Sequence, residues 1–192
     1  VHRDLKPSNV LVDGSGRARV MDFGIAARVH DGARQAARKQ VVGTPGYMSP
    51  EATQGAGPTP AMDVFSAGLV LVELLCGHGL VVERDPYRAM QRIATEDLQL
   101  PADLPSAVDD ALRAILRRAI ARGPAQRFAD ASAFADALRQ WMAPRPDAAA
   151  AAAGNSGTLD FLLRRMRHKS DFPALSDSVA RIQRIATSEH ES

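Results

Sequence analysis

The run from residue 61 to residue 76 limits most tightly what this chain can fold into. Met62, Phe65, Leu69, Val72 and Cys76 recur at helical spacing, and Val70, Leu71, Leu74 and Leu75 fill the other sides. A surface helix carries one apolar stripe, whereas a helix apolar on nearly every face is buried. The longest uninterrupted apolar stretch, residues 67–72 counting Gly68, stops at Glu73. A membrane-spanning helix needs ~20 apolar residues, so the expectation is a buried core helix and no membrane span.

Three further helices fit the pattern downstream, over 86–95, 106–121 and 129–142. In the second, Val108, Leu112, Ile115, Leu116 and Ala119 form one stripe, with Ser106 as the expected N-cap and Gly123-Pro124 punctuating its end. In the third, Phe128 precedes Ala131, Phe134, Leu138 and Trp141. Upstream, Val10-Leu11-Val12, the turn cluster Asp13-Gly14-Ser15-Gly16 and the alternating residues 17–21 predict a β-hairpin. Residues 25–60 read as irregular, and a loop that long inside a compact domain is usually functional. Past Pro144 the composition changes: a Pro-rich stretch, six alanines and Gly154-Asn155-Ser156-Gly157 read as a linker over 143–157. Residues 158–192 carry two short amphipathic patterns, with too little apolar material to close a core of their own. The fold class is therefore mainly α with one β-hairpin, followed by a linker and a helical tail.

Composition excludes several function classes. Lys and Arg total 24 against 22 Asp and Glu, a net charge of +2. That balance, with aromatic residues at 5%, offers neither the field nor the stacking platforms of a nucleic-acid binder. One cysteine, Cys76, cannot form an internal disulfide, and on an apolar helix it reads as a core residue. The remaining histidines, His30, His78, His168 and His190, have no metal-ligand spacing. The expected location is the cytoplasm.

The chemistry gathers at the start of the chain. Val1-His2-Arg3-Asp4-Leu5-Lys6-Pro7-Ser8-Asn9 fits the H-R-D-L-x-x-x-N pattern, and Asp22-Phe23-Gly24 follows eighteen residues after Asp4. Gly43-Thr44-Pro45-Gly46-Tyr47-Met48-Ser49-Pro50-Glu51 resembles a segment ending in A-P-E, and Asp63 opens the apolar helix. Each motif alone is weak. Four in order, with a hairpin and helices between them, resemble the C-terminal lobe of a bacterial, eukaryotic-type serine/threonine protein kinase over residues 1–142.

The resemblance implies ATP and Mg²⁺ as cofactors and protein substrates as partners. Phosphoryl transfer depends on positioning and charge neutralisation more than on covalent help. Asp4 would orient the substrate hydroxyl and accept its proton. Asn9 and Asp22 would supply the oxygen ligands that the metal requires. Lys6 would place positive charge near the transferring phosphoryl, and by resemblance a lysine there marks serine/threonine enzymes. Thr44 would hydrogen-bond the catalytic loop. The resemblance gives structural roles to His2, Arg3, Phe23, Gly24, Asp63 and the Glu51–Arg127 ion pair.

A kinase also needs a glycine-rich phosphate loop and a small-lobe lysine and glutamate. The Gly-x-Gly pairs starting at Gly14, Gly55 and Gly77 would place a third glycine at Arg19, Pro60 and Val82. The only lysines, Lys6, Lys39 and Lys169, are in the catalytic loop, the activation segment and the tail. The expectation is that the small lobe lies upstream of Val1 and that these 192 residues alone transfer no phosphate. The rival reading is a pseudokinase or regulatory scaffold, against which intact Asp4, Lys6, Asn9 and Asp22 argue. Residues 25–43 contain no Ser, Thr or Tyr, so the parent kinase is not expected to be switched on by phosphorylation there; the two alternatives are constitutive activity and intramolecular regulation by flanking domains. Phe172-Pro173-Ala174-Leu175 and the pattern after it are similar to the opening helix of the HD-related output domain (HDOD).

Overall fold

The computed structural model describes residues 1–13, 17–23 and 43–143. The turn at 14–16, Gly24, residues 25–42 of the activation segment, the linker from Pro144 and the tail with its HDOD-like helix lie outside the described residues.

Two short antiparallel strands come first, β1 (Val10–Val12) and β2 (Ala18–Val20), with Leu11 opposite Arg19. Five helices follow: α1 (Pro50–Thr53), α2 (Pro60–Cys76), α3 (Pro86–Thr95), α4 (Asp110–Ala119) and α5 (Ala131–Met142). Single 3-10 turns occupy Pro7–Asn9, Pro45–Tyr47 and Pro124–Gln126. Proline opens α1, α2 and α3, where its missing N–H costs nothing and its fixed φ suits the first helical turn. Side chains cap the starts: the Asp85 carboxylate accepts from the Tyr87 amide, and Asp130 from that of Ala133.

The α2 residues face apolar neighbours on three sides. Val72 and Leu75 pack with Leu104, Val108, Leu112, Leu116 and Trp141. Val64 packs with Ala119, Phe128 and Phe134. Phe65 and Leu69 pack with Ile93 and Ile120. The expected buried central helix is thus observed, with α3, α4 and α5 supplying its walls. Gly68 makes the closest approach possible: a Cβ there would lie 2.9 Å from Ile120 Cγ2 and 3.0 Å from Ala119 Cβ. Among the described residues no helix is long and apolar enough to cross a membrane.

Three boundaries differ from the sequence expectation. The second downstream helix starts at Asp110, not 106, because Asp109 and not Ser106 caps it, accepting the Leu112 amide at 2.8 Å. Residues 105–108 close a separate turn through the Val108 amide and the Pro105 carbonyl. The stretch read as irregular contains α1, a single turn that Ser49 caps through the Ala52 amide. Asp130, as the cap of α5, moves that start to Ala131.

Candidate active site

The opening loop has little apolar support and is held by directional bonds. The Asp63 carboxylate, in the first turn of α2, accepts the His2 amide at 2.6 Å and the Arg3 amide at 2.9 Å. Hydrogen bonds to an ionised acceptor are roughly twice as strong as neutral ones. Arg3 sits at φ 74° and Asp22 at φ 64°, the two non-glycine residues in the left-handed region among the described residues. Such backbone costs on the order of 1–3 kcal/mol per residue and persists only where neighbours enforce it. Here the Asp63 carboxylate grips the Arg3 amide.

His2 is buried and links the loop to the segment before Asp22. Its Nε2 lies 2.8 Å from the Met21 carbonyl, and its Nδ1 accepts the Asp4 amide at 3.3 Å. The two contacts together assign the proton to Nε2. Phe23 meets the His2 ring edge-on, with centroids 4.9 Å apart, and is itself 57% exposed. Asn9, at the end of the 3-10 turn, donates its side-chain amide to the Asp4 carbonyl at 2.8 Å. Its backbone carbonyl accepts the Met21 amide, also at 2.8 Å. The loop and the residue preceding Asp22 are therefore stitched together on both sides of Asn9.

The Asp4 carboxylate closes a triangle. Thr44 donates its hydroxyl to Asp4 Oδ1 at 2.7 Å, and Lys6 Nζ lies 2.9 Å from Asp4 Oδ2 and donates to Thr44 Oγ1 at 2.9 Å. Ammonium, carboxylate and hydroxyl each fix the other two. Gly43 permits this approach: its φ is 131°, and a Cβ there would come within 3.0 Å of the Arg3 carbonyl oxygen.

Glu51 and Arg127 anchor the far end of the segment. Two parallel bonds join them, Nη1 to Oε1 at 2.7 Å and Nη2 to Oε2 at 2.8 Å. Arg127 also donates to the carbonyls of Ala121, Ala61 and Arg122, and its guanidinium lies over the Phe65 ring. Burial works to raise the Glu51 carboxyl, but the hydrogen bond and charge of Arg127, with help from its own amide and Ser49, hold it below the usual carboxylate range.

A further tether joins Tyr47 of this segment to α2. Tyr47 donates its hydroxyl to Glu73 Oε2 at 2.5 Å, and Ser66 donates to the Tyr47 carbonyl at 2.7 Å. Burial, then the bond to Glu73 and its charge, push the Tyr47 phenol well above its ordinary value. Burial likewise raises the Glu73 carboxyl. Sequence reasoning passed over Glu73, although a carboxylate in an otherwise apolar helix needs a partner.

The structure thus brings Asp4, Lys6, Asn9 and Thr44 into one bonded group. His2, Arg3 and Asp63 hold it from behind, and Phe23 and Asp22 stand beside it through Met21. Glu51 and Arg127 brace it from a separate position.

Mainly helical packing around one buried helix, with a hairpin and a polar loop bearing an Asp–Lys–Thr triangle, defines the large lobe of the kinase class. The chain belongs to the protein kinase family: the family model described as protein kinase domain matches residues 1–141. The chain is 32% identical over 149 residues to the serine/threonine-protein kinase PknB of Mycobacterium leprae, covering 77% of this chain and 24% of that protein. It is 37% identical over 148 residues to the serine/threonine-protein kinase PknK of Mycobacterium tuberculosis, covering 72% and 12%. With PknA of the same organism the figures are 35% over 175 residues, 82% and 38%. The chain spans well under half the length of each of these relatives.

Proposed function

We propose that this chain is the catalytic large lobe, residues 1–142, of a longer serine/threonine protein kinase that transfers the γ-phosphoryl of ATP to proteins in a cytoplasmic signalling pathway. In this reading residues 143–157 serve as a linker and 158–192 as a tail that can regulate the kinase. The observation that carries the reading is the Asp4–Lys6–Thr44 triangle.

Each residue has a physical task. Asp4 accepts a hydrogen bond from the incoming hydroxyl and takes its proton as transfer proceeds. Thr44 and Lys6 fix the carboxylate so that this acceptor needs no reorganisation, and Lys6 adds positive charge beside the group in transit. The donor set fits Mg²⁺, which takes oxygen ligands at octahedral positions. Asn9 spends its NH₂ on the Asp4 carbonyl, so its amide is oriented with the oxygen as the ligand end. Asp22 adds an exposed carboxylate. Bound Mg²⁺–ATP would supply the transferable phosphoryl and the charge that neutralises it. Asn9 and Asp22 would hold the metal, and Lys6 would face the phosphate. His2, Arg3, Phe23 and Asp63 keep the loop in place, and Glu51 with Arg127 anchors the segment.

These 192 residues contain no glycine-rich phosphate loop, and their three lysines, Lys6, Lys39 and Lys169, all lie in or after the catalytic loop, not in a small lobe. The chain alone therefore does not turn over ATP. Radiolabelled ATP with Mg²⁺ and a generic protein acceptor tests both halves of the proposal. The full-length protein should yield phosphoserine and phosphothreonine, and the 192-residue chain none. Phosphotyrosine as the main product, or turnover by the isolated chain that Asp4→Asn abolishes, would contradict it.

A further inference from the structure

Between Gly24 and Glu51, hydroxyl groups are either absent from the sequence or already engaged. A phosphate on Ser, Thr or Tyr needs a hydroxyl, and residues 24–43 have none. Between there and Glu51 stand three: Thr44, Tyr47 and Ser49. The Thr44 hydroxyl donates to Asp4 and accepts from Lys6. That of Tyr47 donates to Glu73 at 2.5 Å. Ser49 is 1% exposed, and its hydroxyl accepts the Ala52 amide to cap α1.

A phosphoryl group carries a charge of roughly −1.5 to −2 at neutral pH. On Thr44 it would face the Asp4 carboxylate and draw Lys6 away. On Tyr47 it would face Glu73. On Ser49 it would enter the interior, where there is no room for it, beside the Glu51 carboxylate that Arg127 holds. Each of the three disrupts a bond that the assembled site uses. The triangle, in contrast, forms with unmodified residues only.

We infer that phosphorylation of this segment cannot switch the site on: the unmodified segment is the competent one, modification at Thr44, Tyr47 or Ser49 turns the site off, and any activating input acts from outside residues 24–51. This rests on the serine/threonine kinase reading above.

The full-length protein, purified after incubation with Mg²⁺–ATP, is assayed for transfer to myelin basic protein before and after a broad-specificity phosphatase, with phosphopeptide mapping of both samples. The expected result is no phosphate on Thr44, Tyr47 or Ser49 in the active sample, and a rate held within about twofold by treatment. A rate that falls while those three hydroxyls are bare throughout places the switch outside the segment, as inferred. A fall of about tenfold or more that tracks loss of phosphate from Thr44, Tyr47 or Ser49 overturns the inference. Thr44→Glu gives a second arm. It should lower transfer by at least about 100-fold, the scale of a lost acid–base alignment, with Thr44→Ser retaining most of the rate. A Thr44→Glu protein as active as the wild type also overturns it. Transfer that is absent before treatment, and no different in Asp4→Asn, sinks the kinase reading itself and the inference with it, an outcome distinct from the others.

Discussion

The helical body around α2 and the loop-and-hairpin end that carries Asp4 are held by different forces. In the body, Val64, Val72, Leu75, Ile93 and Leu116 are completely buried, and three apolar clusters share one helix. At the other end β2 is exposed along its length, Val20, Met21 and Phe23 are exposed apolar side chains, and a handful of polar bonds set the geometry. Packing is non-directional and roughly proportional to area; a hydrogen bond specifies position but nets only ~1 kcal/mol. The body can therefore supply stability, and the tethers supply placement. Damage to the first should unfold the chain, and damage to the second should misplace the chemistry.

The largest expected effect breaks a buried charged pair of the body. Arg127→Ala strands the Glu51 carboxylate and three carbonyls that Arg127 now serves. Removing one partner of a buried pair costs about 3–5 kcal/mol, read as a drop in unfolding free energy in urea. The same pair sets an acid limit. The folded Glu51 carboxyl is held below its ordinary value, so its contribution is complete above that ordinary value and fades as pH falls through the folded one. Urea unfolding across the acid range should show a steeper decline in the wild type than in Glu51→Gln. Equal pH slopes in the two proteins would remove the pair from the acid limit.

Next is the packing itself. Leu116→Ala, at a fully buried position of α4 against α2, should cost about 2–5 kcal/mol. A cost near zero would mean that the cluster does not hold the body together. The smallest expected change in stability comes from the tethers. Asp63→Ala frees the His2 and Arg3 amides, at about 1–3 kcal/mol for donors left unpaired. Its sharper mark is local: hydrogen exchange should speed up at His2 and Arg3 while the α2 amides keep their protection. Uniformly faster exchange would show that the two regions are not separable.

The same contrast explains what the sequence made legible. The α2 helix was readable because its apolar residues outnumber every alternative; its first residue, Pro60, lies one position before the expected start. The start of α4 was not, because Ser106 and Asp109 can both cap and only the turn at Pro105–Val108 decides between them. Motif spacing singled out Asp4, Asn9, Asp22 and Thr44 because they fall in recognisable strings, and the fold joins three of them, Asp4, Asn9 and Thr44, by hydrogen bonds. The Tyr47–Glu73 bond joins residues 26 positions apart through a fold that had first to be built. Its one local signal was a carboxylate in an apolar helix, the same signal that marks Asp63.

If Asp4 is the proton-accepting group of a site positioned by tethers rather than by packing, its loss should stop transfer and leave the fold intact. Phosphoryl transfer and urea unfolding, measured together on the full-length protein and its Asp4→Asn variant, test it most directly. The account predicts a loss of transfer of at least about 100-fold with unfolding free energy changed by no more than about 0.5 kcal/mol. Transfer at the wild-type rate, or a loss that merely follows a fall in stability, would contradict it.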